Sequence, residues 1–363
     1  MKIKYIGNFN DGTGWSKAST YNALALNSAG HDIYCQEVKY VNQNVIIDDK
    51  ILELLNKKTD SYDMIINHVI PKDYQYIKGV KNIGIVELET LTLSNVLWLK
   101  NLNLMDEIYV PNQASKNCLV HSGMHPDKVK ILNHSFNFEK ILNNQSKVFV
   151  EELKNTFNFV FVGEFSKRKN LEALLRAFHS EFHFSEPANL YLKTNAEIST
   201  VNKFKESVYD RLKLRNRYKK EIIISEYLKE EDLWSIVKQC HAFVMPSYGE
   251  AWCYPAMEAM AMGIPCIYTD GIGIEDYATK GANFAVESTV QPCYGATDSH
   301  FTDIYTSKDK WLEIDIMGLQ SNMRKIFEMY MNNNQEYQNI SNINKEAMRK
   351  YDFNNTEIVR NVI

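Results

Sequence analysis

Short apolar runs along the chain alternate with stretches in which apolar residues recur at helical spacing. Ile3–Phe9, Asp32–Val38, Tyr62–Val69, Lys81–Val86 and Asp106–Val110 read as strands. Segments from about Ser19 to Ser28, Ile51–Lys57 and Gln113–Val120 read as helices between them. GTGWSKAS precedes the first helix as a turn, and Ala29-Gly30 stops it. The pattern then restarts. Asn158–Gly163, Ala188–Lys193, Glu221–Ser225, Ala242–Met245 and Pro265–Tyr268 read as strands. Leu171–Glu181, Glu230–Cys240, Pro255–Met262, a segment near Ile316–Asn332 and a last piece from about Ile343 read as helices. The Asn-rich stretch Asn332–Asn344 reads as a loop. Strand–helix alternation of this kind predicts parallel sheets covered by helices on both faces. Its repetition predicts an α/β chain of two doubly wound, Rossmann-like domains, residues 1–150 and 151–342. Residues 343–363 are expected to form a closing helix that returns to the first domain. Two such domains face each other across a deep cleft at the carboxyl ends of their strands, where open α/β sheets bind ligands.

The length of 363 residues suits two such cores. With 45% hydrophobic and 24% charged residues, the composition is that of a soluble globular protein. No run approaches the roughly 18 uninterrupted apolar residues of a membrane-spanning helix. The strand-like start MKIKYIGNF lacks the apolar core of a signal peptide, so a cytoplasmic location is expected. A net charge of −4 gives no general attraction to nucleic acid. The basic run Arg211–Lys220 is the one strong charge cluster; it reads as a solvated helix face and leaves peripheral contact with anionic lipid open. The six cysteines form no C-x-x-C pair and read as buried and unpaired. His179/His183 and His121/His125 have helical spacing but lack further ligands, so no metal site is assigned.

The chemistry concentrates in FVMPSYGEAWCYPAMEAMAMGIPCIYTD, residues 243–270. A strand ends at Met245, and a loop carrying Ser247, Gly249 and Glu250 follows. Pro255 suits the first turn of a helix that Gly263 stops. The free N–H groups and positive dipole at that helix start, near Tyr254–Ala256, suit a phosphate. Glu250 before it and Glu258 within it can accept bonds from sugar hydroxyls on either side of a diphosphate. A nucleotide-diphosphate sugar presents that pattern. In FVGEFSKRKNLEALLRAF, residues 161–178, a strand-to-helix turn carries Arg168 and Lys169, whose natural partners are diphosphate oxygens. Gly12, Thr13 and Gly14 form a tight turn after the first strand, but Lys17 stands where a G-x-G-x-x-G motif needs its third glycine.

The first of these segments resembles the E-x7-E segment of retaining glycosyltransferases of family 4, the group 1 glycosyl transferases, which have the GT-B fold. Pro246-Ser247, Glu250, Pro255, Glu258-Ala259-Met260-Ala261, Gly263 and Pro265 carry the resemblance, while Ala251 and Cys253 replace the usual glycines. The second segment resembles the family's strand–turn–helix, with Glu164 where an arginine often stands and Arg168 as its replacement. Glu89-Thr90, Trp98, Met105-Asp106-Glu107 and Val110-Pro111 resemble the N-terminal domain of one branch of that family, where His68 and Glu89 lie near strand ends.

The resemblance implies transfer of a sugar from a nucleotide-diphosphate donor, such as a UDP- or GDP-sugar, to a hydroxyl of a glycan or other acceptor. It implies retention at the anomeric carbon, with Glu250, Arg168 and Lys169 as the catalytic set. Glu258, Trp252, Cys253, Tyr254, Gly12, Thr13 and Gly14 would hold the donor, and no cofactor is implied. It also implies metal independence, with which the absence of any Asp-x-Asp pair agrees. The alternatives are a catalytically silent nucleotide-sugar-binding partner of another transferase and an NAD-type oxidoreductase.

Overall fold

The computed structural model describes residues 1–40, 45, 48–214, 218–296, 304–360 and 362. The chain forms two compact units, Met1–Phe138 with Lys350–Ile363, and Glu139–Arg349. The division falls at 138 rather than 150, and the return to the first unit begins at 350 rather than 343.

In the first unit, six parallel strands stand in the order β2-β1-β3-β4-β5-β6. They are β1 (Lys2–Gly7), β2 (Asp32–Glu37), β3 (Met64–His68), β4 (Lys81–Ile85), β5 (Glu107–Val110) and β6 (Val129–Ile131). The sheet is flanked by α1 (Gly14–Ser28), α2 (Asp49–Asn56), α3 (Val96–Leu104) and α4 (Gln113–His121). Ile3, Ile65, Ile66, Ile83, Ile108 and Val110 are fully buried, as apolar runs in a sheet covered on both faces must be. GTGWSKAS is not a separate turn. Gly12 takes the left-handed conformation (φ 68°), and α1 already starts at Gly14. Thr13 caps it by accepting from the Ser16 N–H at 3.3 Å. The inner face of α1 is unusually polar, with Ser16, Ser19, Thr20 and Asn22 all buried. Residues 350–363 pack here too. Phe136 N–H donates to the Tyr351 carbonyl at 3.1 Å, and Tyr21 stacks on Phe353.

In the second unit, six parallel strands stand in the order β12-β11-β10-β7-β8-β9. They are β7 (Phe157–Val162), β8 (Ala188–Lys193), β9 (Ile222–Ile224), β10 (Ala242–Met245), β11 (Cys266–Thr269) and β12 (Phe284–Val286). An antiparallel ribbon of β13 (Ser288–Pro292) and β14 (Lys310–Ile314) follows. The helices are α5 (Phe138–Leu142), which starts at the division, then α6 (Leu171–Glu181), α7 (Ile198–Leu212), α8 (Glu230–Val237), α9 (Tyr254–Ala261), α10 (Ile316–Asn332) and α11 (Asn334–Arg349).

Two expectations are corrected here. The Asn-rich segment is the end of α10 and the start of α11, because Tyr337, Ile340, Ser341, Asn344 and Met348 form a buried helical stripe. Their polar neighbours hide it. Gly263, left-handed at φ 86°, lets α11 approach the end of α9; a Cβ there would stand 2.3 Å from Ser341 Oγ. The basic run is not one helix face, since α7 ends at Leu212 and Lys213 is its left-handed cap (φ 59°). Arg215–Arg217 of that run lie outside the described residues. All six cysteines are buried and free. No helix among the described residues is long and apolar enough to cross a membrane.

Candidate active site

In the second sheet the strand order reverses between β7 and β10, since the chain continues outward from β7 to β8 and later returns beside β7 at β10. A crevice forms at the carboxyl end of such a switch point. The loop after β7 carries Arg168 and Lys169, and the loop after β10 carries Glu250. Adjacent parallel strands deliver all three side chains to one place.

They meet in a buried ion cluster. Lys169 Nζ donates to both Glu250 oxygens, at 2.8 and 2.9 Å. Arg168 Nη1 donates to Glu250 Oε1 at 3.0 Å and to the Gly249 carbonyl at 2.8 Å. Ser247 Oγ adds a 2.6 Å bond to Oε1. The backbone locks the two loops together: Tyr248 N–H donates to the Arg168 carbonyl at 2.8 Å, and so does Ser247 Oγ at 3.1 Å. Asn170, left-handed at φ 53°, ends the Lys167–Lys169 turn and caps α6. The Glu250 side chain is 4% exposed, against 15% for Arg168 and 12% for Lys169, so the cations form the outward side of the cluster. Burial alone would push the Glu250 carboxyl up, but Lys169, then Arg168, and the bonds from Lys169 and Ser247 hold it below the ordinary range.

Three residues on from Glu250, Cys253 stands as the N-cap of α9 with φ 71°, a left-handed conformation that glycine adopts at no steric cost. The loop thus keeps a glycine-like backbone path without the glycine. Tyr277 Oη fixes it by donating to the Trp252 and Cys253 carbonyls, each at 2.9 Å. Burial, and then the nearby Glu250 charge, pushes the Cys253 thiol up to about 12, which makes it inert as a nucleophile. Trp252 and Tyr254 are buried, with Trp252 packed on Tyr277. Glu258 is buried in α9, and its Oε2 accepts the Trp234 Nε1–H from α8 at 3.0 Å.

Gly12, Thr13 and Gly14 belong to the first unit, at the start of α1. Its sheet reverses between β1 and β3, and their following loops carry Gly12–Gly14 and, at the end of β3, His68. Sequence spacing did not reveal what His68 touches. Glu87 Oε1 receives His68 Nε2 at 2.9 Å and His134 Nε2 at 2.7 Å. Burial alone would push Glu87 up; His134, then His68, bring it to about 2. These residues lie 19 and 47 positions apart; His68 ends β3 and Glu87 follows the adjacent β4, while His134 comes from the segment after β6, two strands beyond β4 in the sheet. The other His pairs do not converge. His179 bonds Glu221 at 2.6 Å, while His183 bonds Ser185. Ser247, Trp234 and Tyr277 also escaped assignment. Ser247 lies within the motif, whereas Trp234 and Tyr277 belong to no motif and reach the loop only through the fold.

Residues 143–292 match the family model described as Glycosyl transferases group 1. No curated protein sequence matches the chain. Among solved structures, HepE (Alr3699) of Anabaena in complex with UDP and glucose is similar at a TM-score of 0.66 and 14% identity, over 100% of this chain and 99% of that one. Sucrose-phosphate synthase of Thermosynechococcus elongatus is similar at 0.64 and 14% identity, over 99% and 97%. A glycosyltransferase of Rickettsia africae is similar at 0.64 and 12%, over 99% and 96%. With two parallel six-stranded sheets and full-length likeness to such structures, the fold is α/β of the GT-B class.

Proposed function

We propose that the chain is a glycosyltransferase that moves a hexosyl group from a nucleotide-diphosphate sugar to a hydroxyl acceptor with retention of configuration. The observation that carries this reading is the Arg168–Lys169–Glu250 cluster at the switch point of the second sheet, a few residues before the start of α9. The group 1 family match over 143–292 supports it, as does the likeness to HepE, solved with UDP and glucose. The cluster has two cations and one carboxylate, so it retains one positive charge. Arg168 and Lys169 lie on its exposed side and are oriented by Glu250 for the donor diphosphate. As the sugar leaves, negative charge grows on the diphosphate, and these preorganised cations and the start of α9 stabilise it. Glu250 Oε2 receives only Lys169 among the described bonds, which leaves it acceptor capacity toward the transferred sugar. Glu258, held by Trp234, is assigned to the ribose. Trp252, Cys253 and Tyr254 shape the loop by their backbone rather than presenting side chains to the donor.

With Arg168 and Lys169 as the diphosphate counter-charges, and no Asp-x-Asp pair in the sequence, transfer is assigned as metal-independent in its chemistry. A cytoplasmic enzyme acting on a glycan or other hydroxyl acceptor fits this reading. The test is incubation of the purified chain with UDP- and GDP-sugars, with and without added magnesium or manganese. Release of nucleoside diphosphate unaffected by the added metal is expected. Binding without turnover of any donor would instead identify a silent sugar-nucleotide partner. A β-linked product from an α-linked donor, read from anomeric proton coupling, would overturn retention.

A further inference from the structure

The first unit contains a side-chain cluster that the transfer reading does not use. His68 Nε2, His134 Nε2 and a Glu87 carboxylate oxygen all lie within 4.8 Å of one another. His68 is 0% exposed, His134 1% and Glu87 5%, so the carboxylate is the point at which the cluster is reached from outside. Among the described residues no Lys or Arg pairs with Glu87; its partners are the two imidazoles. A buried carboxylate favours a positive charge beside it.

The far sides of both rings are braced. His68 Nδ1 lies 2.7 Å from Tyr5 Oη, and His134 Nδ1 lies 3.2 Å from the Asn22 amide. Both rings therefore aim Nε2 at one point and have Nδ1 held by a polar partner, the arrangement that metal-bound imidazoles need. Asn22 Oδ1, fully buried, has no hydrogen-bond partner as placed. A buried acceptor left unpaired is costly. If the Asn22 amide is turned over, that oxygen faces His134 Nδ1 and accepts a hydrogen bond from its N–H. With an ion bound, each ring carries its proton on Nδ1, facing Tyr5 or Asn22, and turns its Nε2 lone pair to the metal in place of the present bond to Glu87.

We propose that His68, Glu87 and His134 hold a divalent ion of the zinc type in the first unit, with Tyr5 and Asn22 orienting the two imidazoles. Two imidazoles and one carboxylate are a zinc donor set, with a water as fourth ligand. Ligand distances of about 2.0–2.2 Å set the donors roughly 3.3 Å apart, so seating the ion opens the present contacts by about half an ångström. The ion places positive charge beside the buried Glu87 carboxylate. All five of these residues belong to the first unit, and the proposal does not rest on glycosyl transfer.

The test uses the full chain prepared without a polyhistidine tag. It is stripped of metal and titrated with cobalt(II), then zinc. One equivalent of cobalt is expected to bind with the visible absorption of a four-coordinate ion, to be displaced by zinc, and to raise the melting temperature. Tyr5→Phe, which keeps the ring and removes the hydroxyl, is expected to weaken metal binding roughly 10- to 100-fold. Glu87→Gln and His134→Gln are expected to abolish the cobalt spectrum. A wild-type chain that binds neither ion at micromolar concentration overturns the proposal, whether or not the variants fold. So does a spectrum that persists unchanged in Glu87→Gln or His134→Gln.

Discussion

Trp234 Nε1 donates to Glu258 Oε2 at 3.0 Å, and both side chains are buried. The bond ties α8 to α9 and commits one carboxylate oxygen of Glu258, fixing where the group points. Removing a hydrogen bond to a charged group costs about 1.5–3 kcal/mol. Glu258→Ala should therefore weaken nucleoside diphosphate binding roughly 10- to 150-fold. Trp234→Phe keeps the aromatic packing and deletes only the N–H. It should reduce the preference for a ribonucleotide over the 2′-deoxy form, which a packing role alone would leave unchanged. Calorimetric titration with the two nucleotides measures both effects.

Lys169 contacts both oxygens of Glu250, so removing it strips a buried carboxylate of its nearest cation. Breaking a buried pair by deleting one partner costs about 3–5 kcal/mol. Lys169→Ala should lower unfolding stability on that scale and lose far more affinity for a nucleoside diphosphate than for the nucleoside. Equal losses for both ligands would mean that Lys169 only holds the loop.

Glu250→Gln retains the shape of the side chain and removes the charge that orients Arg168 and Lys169. Nucleotide affinity should be kept while turnover falls, because the carboxylate acts most strongly as charge develops on the donor. Steady-state kinetics with separate measurement of nucleotide binding resolves the two. Turnover equal to wild type would remove Glu250 from the reaction.

Stability should depend on acid in a defined window. Burial would raise the carboxyl of Glu221, but His179 and then Lys205 bring it from 4.5 to about 2. Glu87 is depressed to about 2 and Glu250 is also lowered. A depressed carboxyl stabilises the fold fully above its unfolded pKa and loses that contribution as pH falls through the folded value. Denaturant midpoints should hold above 4.5 and drop as pH approaches about 2. Glu221→Gln should be less stable than wild type near neutrality and flatter across that window.

At Cys253 the left-handed backbone should show in a comparison of two substitutions. Forcing a residue with a Cβ into this region costs about 1–2 kcal/mol, a cost glycine avoids. Cys253→Ala keeps that strain and loses the sulfur's packing, whereas Cys253→Gly relieves it. The glycine variant should be the more stable of the two in equilibrium unfolding. The reverse order would mean that packing of the Cβ outweighs the strain.

Several features of this protein were determined by local sequence alone. Leu171–Glu181, Ala188–Lys193, Ala242–Met245 and Ile316–Asn332 are elements whose bounds follow from apolar periodicity and stop signals, both properties of neighbouring residues. The spacing of Glu250 and Glu258 around a Pro-started helix is of the same kind. Sparse or masked periodicity hid α3, α7, the first half of α11 and the ribbon of β13 and β14, whose buried faces exist only against their neighbours. The joining of Arg168 and Lys169 to Glu250, about 80 residues away, was settled by β7 and β10 lying side by side in the sheet. His68 and Glu87 meet because β3 and β4 are adjacent, and the segment after β6 carries His134 back to them. Hydrogen bonds and ion pairs act over a few ångströms of space, and only the folded sheet sets which distant residues come that close.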